Sequence, residues 1–457
     1  MTRVLGIETE YGISAPERPE ISVDLLAAAV VAHCTVPSTG DETWSEATFI
    51  DDLHNRMLGN GGRFYVDHAH PEYCTPETTT ALDATLYDAS GEAIVARAAA
   101  AASEEVGARI AIFKNNTDAH GNSYGTHENY QLTRETPWQR VVVHLTTFLV
   151  TRQPLVGAGR VTPDGFHLTQ RAGYLEALTG IETTIRRPIV NTRAEPHAPR
   201  ARWRRVHVIV GDANRSQFAT HLKLGVTALI LRAVEADVLP DLALADPLAA
   251  LRTIDADATC RALVPLADGR RLSALDVQEA LLEAVRTHAD RLAADPDVLS
   301  DWQAVVDDLR ADPDRCADRL DWVAKRGLIQ AAAARLDAGP GDARLARLDL
   351  SWAELGPASV FERVRAQGNF DLLADAAIEA AVIEPPSDTR AWLRGTLVQT
   401  LGRSLISAGW ESATLRGSTG RLRTIGMGEP LNHTRATHGD LLAGARGADA
   451  VADRLAR

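Results

Sequence analysis

The feature of this chain that most constrains its fold is a series of acidic and histidine residues at alternate positions of short apolar runs. In the run GIETEYG, Glu8 and Glu10 are separated by one residue, so on a strand both carboxylates project from the same face. Two adjacent carboxylates repel each other unless an arginine or a divalent cation neutralises them, and Mg²⁺ takes oxygen ligands of this kind. An isolated Glu-x-Glu pair is also typical of a solvated edge strand, so this pair needs support from elsewhere in the chain.

A second cluster lies in the run GRFYVDHAHPEYCT, which begins like a strand. Within ten residues it supplies Arg63, Tyr65, Asp67, His68, His70 and Glu72. On a strand, the first three share one face. An acid such as Asp67 on an apolar strand is costly to bury unless it pairs with a cation, binds a metal or acts as a base. A structural salt bridge with surface histidines is the alternative explanation.

Two further clusters combine polar residues with strand-like runs. In KNNTDAHGNSYGTHENY, a glycine-rich polar loop leads to His127, and such a loop can bring its backbone close to a ligand. In RWRRVHVIVGDAN, Arg205 and His207 lie in or beside a strand, and arginine suits bidentate contacts with phosphates or carboxylates. A polar hairpin tip and surface arginines are the respective alternatives. The sequence contains neither a P-loop pattern nor the full Rossmann glycine spacing, so a nucleotide would require another architecture.

The composition, with 45% hydrophobic and 24% charged residues, is that of a globular protein. The formal net charge of −13 argues against nonspecific binding to nucleic acid or to an anionic membrane. The four cysteines form no Cys-x-x-Cys pair, which argues against a zinc motif or a disulfide framework. Neither a signal-peptide pattern nor an apolar run of about 18 residues is found, so we expect a soluble, cytoplasmic protein.

The first half of the chain alternates between strand-like and helix-like segments, which predicts an α+β fold. The predicted strands are RVLGIE, GRFYVDHAH, ARIAIFKNN, RVVVHLTTFLV and RRVHVIVGD, and the predicted helices span residues 23–33 and 92–106. Residues 35–60 are predicted to form a mobile loop, and the pattern beyond residue 218 is mainly helical. The prolines of EPPSDTR favour a boundary between a catalytic domain, residues 1–383, and a small C-terminal domain, residues 384–457.

Ten ordered blocks along the chain resemble the family of Pup ligases and Pup deamidases/depupylases, which act on the small protein tag Pup. The blocks are GIETEYG, GRFYVDHAHPEY, FKNNTDAHGNSYGTHENY, FLVTRQ, NTRAEPHA, RRVHVIVGDAN, LKLG, LDWVAK, PPSDTRAWLRG and SAGW. The resemblance implies an α+β, glutamine-synthetase-like fold, in which a curved antiparallel sheet with packed helices is followed by a small C-terminal domain. It also implies ATP and Mg²⁺ as cofactors, Pup and pupylated proteins as partners, and a functional link to the bacterial proteasome.

The resemblance also assigns roles to individual residues. It implies that magnesium is held by Glu8, Tyr65, Glu72, His127 and His207, with Glu10 beside them. It implies that Asp67 is the catalytic aspartate. The residues that it implies for contacts with ATP are Arg63, Thr75, Arg205 and Trp410.

One spacing indicates the branch of the family. Four residues separate Asp67 from Glu72 in YVDHAHPEY, which resembles the deamidase branch. The implied function is therefore deamidation of the C-terminal glutamine of Pup, hydrolysis of the Pup–lysine isopeptide bond, or both. GIETEYG resembles the ligase branch instead, and residues 35–60 are shorter than the insertion of the deamidase branch, so ATP-dependent ligation of Pup to lysine is the alternative. A catalytically reduced Pup-binding paralogue is a third possibility.

Overall fold

The computed structural model describes residues 2–39, 54–118 and 121–455. Its strands, in chain order, are β1 (Leu5–Glu10), β2 (Gly12–Ser14), β3 (Asn55–Met57), β4 (Arg63–Asp67), β5 (His70–Cys74), β6 (Ala111–Phe113), β7 (Thr126–Thr133), β8 (Arg160–Thr162), β9 (Gly165–His167), β10 (Leu175–Gly180), β11 (Arg187–Asn191), β12 (Trp203–Val208), β13 (Leu263–Pro265), β14 (Arg271–Ser273), β15 (Leu405–Ala408), β16 (Ser412–Arg416) and β17 (Leu422–Gly426). Its α-helices are Val23–Ala32, Ala81–Val106, Trp138–Thr151, Gln153–Val156, Gln217–Ala236, Pro247–Asp255, Ala274–Thr287, Ala289–Leu292, Pro296–Ala311, Asp321–Leu336, Ala343–Ala353, Val360–Arg365, Asp375–Ala381, Ala391–Leu401, Arg435–Leu442 and Gly447–Leu455.

The chain divides into two compact units. Unit 1 contains residues 1–112, 195–204 and 373–457, and unit 2 contains residues 113–194 and 205–372. Residues 373–457 therefore belong to the same compact unit as the N-terminal segment. The boundary between residues 383 and 384 stays a prediction.

In unit 1, the strands β3, β4, β5 and β1 lie side by side in that order, and each adjacent pair is antiparallel. One face of these strands is apolar and carries Ile7, Phe64 and Tyr73, all almost completely buried. The helices Val23–Ala32 and Ala81–Val106 contact these strands. Because side chains alternate along a strand, the polar residues of the same strands are directed to the opposite face.

Gly91 allows the helix Ala81–Val106 to approach this sheet closely. A Cβ atom at this position would lie 2.2 Å from the ring of Tyr73, well inside van der Waals contact. Tyr73 is 1% exposed and accepts a hydrogen bond at its hydroxyl from Asn60 Nδ2, at 3.0 Å, so its ring has little freedom to move. The glycine is therefore required by packing and not by backbone conformation.

The C-terminal part of unit 1 contains a sheet of its own. The strands β15, β16 and β17 form antiparallel pairs in that order. One buried core contains Leu393 and Leu397 of the helix Ala391–Leu401, Leu415 of β16, Val451 of the last helix and Met57 of β3. This core joins the C-terminal residues to the strand at the edge of the N-terminal sheet.

Glu77 forms a second connection within unit 1. Its carboxylate accepts hydrogen bonds from Arg390 Nε, at 2.7 Å, and from Arg394 Nη2, at 2.5 Å. Burial opposes ionisation of Glu77, but the two guanidinium groups outweigh it and lower its pKa to about 2. Arg394 also donates to the carbonyl oxygen of Gly61, just before β4. The helix Ala391–Leu401 is thus connected to both strands of the β4–β5 hairpin at its open end.

In unit 2, β10 and β11 are parallel, β11 is antiparallel to β12, and β7 lies next to β12. A buried ion pair links β7 to the residue between the helices Trp138–Thr151 and Gln153–Val156. Arg152 donates to both carboxylate oxygens of Glu128, at 2.5 and 2.9 Å, and both side chains are fully buried. Removing either partner would leave the other as a buried charge without a counter-charge, which destabilises the folded state.

The predicted strand RVVVHLTTFLV is wrong, because these residues lie in the helix Trp138–Thr151. Their β-branched residues favour a strand locally, but Val141, Leu145, Phe148 and Leu149 are buried at helical spacing. The other four predicted strands each overlap an observed strand, and the helices predicted at residues 23–33 and 92–106 are observed as Val23–Ala32 and Ala81–Val106. Most of the predicted loop 35–60 lies outside the described residues, and the strand β3 lies within the predicted loop.

Among the residues that the structure describes, no helix is both long and apolar enough to cross a membrane.

We predict that Gly91→Ala destabilises the protein, because the new methyl group overlaps the ring of Tyr73. Overpacking of this kind lowers the free energy of unfolding by about 1–3 kcal/mol. The matched control is Gly327→Ala, since Gly327 is exposed in the helix Asp321–Leu336 and a Cβ atom there meets nothing within 4 Å. The control should be neutral or slightly stabilising in urea titrations. Equal effects of the two substitutions would contradict the packing role of Gly91.

We also predict that Glu77→Gln lowers the free energy of unfolding by about 3–5 kcal/mol, because it leaves two buried guanidinium groups without a counter-charge. The wild-type protein should lose this stabilisation as the pH falls from about 4.3, the ordinary pKa of a glutamate, towards the folded pKa of about 2. The variant should lack that part of the pH dependence. The control is Glu379→Gln in the exposed Arg97–Glu379 pair, which should change stability by less than about 1 kcal/mol.

Candidate metal and nucleotide site

The polar face of the unit 1 strands brings the predicted site residues together in two rows across the sheet. In one row, Glu8 of β1 pairs with Cys74 of β5, which pairs with Arg63 of β4. In the next row, Glu10 pairs with Glu72, which pairs with Tyr65. The antiparallel register therefore places residues from two separate motifs, carried on three strands, on one surface, as the alternation within each motif predicts.

Glu72 lies at the centre of this face. One ligand atom each from Glu10, Asp67 and Glu72 lie within 4.8 Å of one another, and the same is true of Glu8, Glu72 and Cys74. Glu72 is 3% exposed. Burial, followed by repulsion from Glu8 and Glu10, raises its pKa well above the ordinary value. The face thus carries more negative charge than the protein alone stabilises at neutral pH.

Tyr65 contributes a neutral donor to the cluster. Its hydroxyl donates to Glu72 Oε1 at 2.6 Å. Burial, and then the neighbouring anionic groups, raise its pKa, so the phenol stays protonated. The guanidinium of Arg63 lies over the Tyr65 ring, 4.4 Å from its centroid, and donates through Nε to Asn55 Oδ1 at 2.8 Å. Arg63 is therefore held beside the carboxylates by a cation–π contact and a hydrogen bond.

Asp67 is the last residue of β4, next to a two-residue turn. His68 and Ala69 form this turn, with φ angles of 43° and 68°, as expected for the central residues of a type I′ hairpin. The predicted strand GRFYVDHAH therefore ends at Asp67, and His70 begins the next strand. The Asp67 carboxylate is 37% exposed and lies 2.9 Å from His68 Nδ1. It is the most accessible carboxylate of the Glu10–Asp67–Glu72 group, since the Glu10 side chain is 13% exposed and Glu72 is buried.

Unit 2 carries the two predicted histidine ligands on adjacent strands. The rings of His127 and His207 meet edge to face, with centroids 4.9 Å apart, and both residues are buried. Asn129 Oδ1 accepts a hydrogen bond from Arg205 Nη1 at 3.3 Å and lies 2.9 Å from His207 Nδ1. Because Asn129 Oδ1 is an acceptor, His207 donates from Nδ1 and carries its lone pair on Nε2, the tautomer that can ligate a metal through Nε2.

Two of the predicted ATP contacts lie outside these clusters. The Thr75 hydroxyl is buried and accepts a hydrogen bond from the Ile7 backbone N–H at 3.1 Å, so it links β5 to β1. Trp410 lies beside the C-terminal core, with the guanidinium of Arg394 4.6 Å from its ring centroid. Nucleotide contacts by both residues stay predictions.

Sequence reasoning assigned no role to two members of these clusters and missed one ion pair that supports the sheet. Cys74 follows Glu72 by two residues on the same strand and therefore shares its face, which the alternation could have revealed. Asn129 shares a face of β7 with His127 for the same reason. The pairing of Arg394 with Glu77 joins residues 317 positions apart, and no local pattern signals it.

Comparisons with known proteins agree with the family resemblance of the sequence motifs and extend it over most of the chain. A model of the Pup-ligase protein family matches residues 3–414. This chain belongs to the Pup ligase family. A depupylase from Acidothermus cellulolyticus is 41% identical, over 98% of this chain and 98% of its own length. A Pup deamidase/depupylase from Mycobacterium tuberculosis is 39% identical over 97% and 96%, and a Pup–protein ligase from Kocuria rhizophila is 38% identical over 87% and 88%.

Two solved structures of a Pup ligase, PafA, have the same fold. The complex of PafA with Pup is 31% identical and has a TM-score of 0.83, covering 94% of this chain and 90% of that chain. The complex of PafA with ADP is 32% identical and has a TM-score of 0.77, covering 85% and 89%. The predicted α+β, glutamine-synthetase-like fold is confirmed.

The polar face of the strands β1, β4 and β5, called the unit 1 face below, carries side chains suited to binding the divalent cation expected for this family. Glu8, Glu10, Glu72 and Tyr65 offer oxygen atoms, which are the ligands that Mg²⁺ prefers. The raised pKa of Glu72 adds a second argument, because a cation would offset the repulsion that causes it.

We predict that Glu72→Gln stabilises the protein in EDTA and destabilises it, relative to wild type, at saturating Mg²⁺. A carboxyl group whose pKa is raised by folding lowers the stability of the folded state once the pH exceeds about 4.3, so removing its charge helps when no cation is present. Glutamine retains an oxygen that can accept from Tyr65. Thermal unfolding at neutral pH, with and without Mg²⁺, measures both effects.

The control is Glu176→Gln, at an exposed position of β10. Its unfolding temperature should shift with Mg²⁺ as much as that of the wild type. If Glu72→Gln were the less stable protein in EDTA as well, the carboxylate cluster would not be repulsive and the argument for a cation would fail.

Proposed function

We propose that this protein removes and processes Pup, by hydrolysing the isopeptide bond between Pup and a substrate lysine and by deamidating the C-terminal glutamine of Pup. The observation that carries the proposal is the extent of the matches. Relatives named depupylase or Pup deamidase/depupylase are 38–41% identical over 97–98% of this chain. Relatives named Pup–protein ligase are 37–39% identical over 87–90% of it.

The proposed magnesium ligands form two groups, one in each unit. Glu8, Glu10, Glu72 and the hydroxyl of Tyr65 are the proposed oxygen donors of unit 1. His127 and His207 are the proposed nitrogen donors of unit 2. A bound divalent cation supplies a positive charge that polarises a carbonyl or phosphoryl oxygen. The carboxylate repulsion around Glu72 supports a cation at the first group, and the Asn129 contact that orients His207 supports the second.

Asp67 is proposed as the catalytic residue, either as a base or as a nucleophile. As a base, it takes a proton from water, and the resulting hydroxide adds to the carbonyl carbon of the amide. The C–N bond then breaks, and lysine or ammonia leaves with that proton. As a nucleophile, its oxygen forms the bond to the carbonyl carbon, and the C–N bond breaks as lysine or ammonia leaves with a proton from solvent water. A second water then hydrolyses the acyl intermediate and restores the Asp67 carboxylate. The exposure of Asp67 at the end of β4 supports either role.

Arg63, Thr75, Arg205 and Trp410 are proposed as nucleotide contacts. Arg63 and Arg205 are each fixed by a hydrogen bond to an asparagine, which orients a planar set of donors suited to phosphate oxygens. The PafA structure solved with ADP supports a nucleotide site in this family. We propose ATP as the nucleotide and the cytoplasm as the location, with Pup and pupylated proteins as partners and a link to the bacterial proteasome.

Ligation of Pup to a lysine is the second candidate function. The structural similarity to PafA, at a TM-score of 0.83, and the GIETEYG motif favour it. In that reaction ATP would phosphorylate the γ-carboxylate of the terminal glutamate of Pup, and Asp67 would accept a proton from the lysine whose amine displaces the phosphate. A Pup-binding paralogue with reduced activity is disfavoured because every proposed ligand and Asp67 are present.

We predict that the purified protein, given ATP, Mg²⁺ and a fluorescent Pup–substrate conjugate, releases free Pup. Asp67→Asn should reduce the rate by on the order of 10²–10⁴-fold, the contribution typical of a general base, and more if Asp67 is the nucleophile. Nucleotide affinity of the variant, measured by calorimetry, should stay within about threefold of wild type, because asparagine preserves the shape of the side chain.

The control is Asp164→Asn, at an exposed turn between β8 and β9, which should keep full activity. A parallel reaction with Pup, a lysine-bearing protein and ATP tests the second candidate. Formation of a conjugate together with ADP, without release of Pup from the first substrate, would overturn the proposed direction.

A further inference from the structure

Cys74 occupies an unusual position for a buried cysteine, because two carboxylates face its thiol. Its Sγ atom lies 3.8 Å from Glu8 Oε2 and 3.7 Å from Glu72 Oε1. A thiol has one proton and donates at most one weak hydrogen bond, so it cannot donate to both carboxylates at once. The same three residues each place one ligand atom within 4.8 Å of the other two.

The spacing of these atoms matches the coordination shell of a metal that accepts sulfur. Zn²⁺ binds cysteine sulfur at about 2.3 Å and carboxylate oxygen at about 2.0–2.2 Å. Two such ligands at a tetrahedral angle are about 3.5 Å apart, close to the sulfur–oxygen distances around Cys74. Mg²⁺ instead selects oxygen ligands and gains little from a thiol.

The local fold makes this arrangement rigid. Cys74 and Glu72 are two residues apart on β5, and Glu8 is the cross-strand partner of Cys74. The backbone of Cys74 also pairs with Arg63 of β4, so β5 is held between two strands. Two ligands thus come from one strand and the third from its neighbour, which explains why no cysteine spacing in the sequence signals a metal site.

We propose that Cys74, Glu8 and Glu72 form a binding site for a thiophilic divalent cation of the Zn²⁺ class, so that such an ion competes with Mg²⁺ on this face. The inference rests on the cation site proposed above. When the ion binds, the sulfur–metal bond forms and the thiol proton is released to the buffer. Mg²⁺ at the same carboxylates leaves the thiol protonated. Cys74 thereby determines which class of metal the face prefers.

Titration with Co²⁺, a spectroscopic substitute for Zn²⁺, tests this proposal on the full-length protein. Thiolate ligation should give a sulfur-to-cobalt charge-transfer absorption band, which a site made of oxygen and nitrogen atoms lacks. Cys74→Ser should abolish the band and weaken Zn²⁺ binding by at least about tenfold, while Mg²⁺ affinity changes by less than about threefold. Cys34→Ser, which removes a half-exposed thiol elsewhere in unit 1, should keep the band.

The possible outcomes separate this proposal from the function proposed above. If Co²⁺ bound without the charge-transfer band and Mg²⁺ displaced it, the role of Cys74 would be overturned. The proposed cation site would still be supported by that result. A band that persists in Cys74→Ser would also overturn it. If neither Co²⁺ nor Mg²⁺ bound to the wild type, the proposed cation site itself would fail. Mg²⁺ binding by Cys74→Ser shows that the variant is folded, so loss of the band cannot be attributed to unfolding.

Discussion

The crowding of carboxylates on one face of the unit 1 strands is the constraint on which the rest of this structure depends. Glu8, Glu10 and Glu72 share that face because β1 and β5 pair in a single antiparallel register. A slip of one residue would turn them towards the helices that cover the apolar face. The protein therefore holds an arrangement that is unfavourable for its own charges and suited to a cation.

The surrounding structure fixes this face from both sides. Behind it, Gly91 lets the helix Ala81–Val106 pack directly on Tyr73. At the open end of the β4–β5 hairpin, Arg394 contacts Gly61 before β4 and Glu77 after β5, so both strands are held there. The closed end carries Asp67 next to the turn. A rigid hairpin with its most exposed carboxylate at the tip presents that group in a defined position, which is what catalysis by proximity requires.

The sequence predicts this site better than it predicts the helices around it. Alternation alone places Glu8 with Glu10, and Arg63 with Tyr65 and Asp67, since side chains repeat every two residues along a strand. Sequence reasoning failed for RVVVHLTTFLV, because β-branched residues favour strands locally whereas burial at helical spacing determines the outcome. It could not find the Glu77–Arg394 pair, which depends on residues 317 positions apart. Local patterns determine which face a residue occupies, and tertiary contacts determine what it meets there.

The central claim, that the unit 1 face holds a divalent cation, is tested most directly by a crystal structure of the protein grown with Mn²⁺ and an ATP analogue. Anomalous scattering locates Mn²⁺ independently of how the surrounding density is interpreted. We expect a peak at about 2.0–2.2 Å from carboxylate oxygens of Glu8 and Glu72, as for Mg²⁺-type coordination. Well-ordered Glu8 and Glu72 side chains with no anomalous peak beside them would contradict the account.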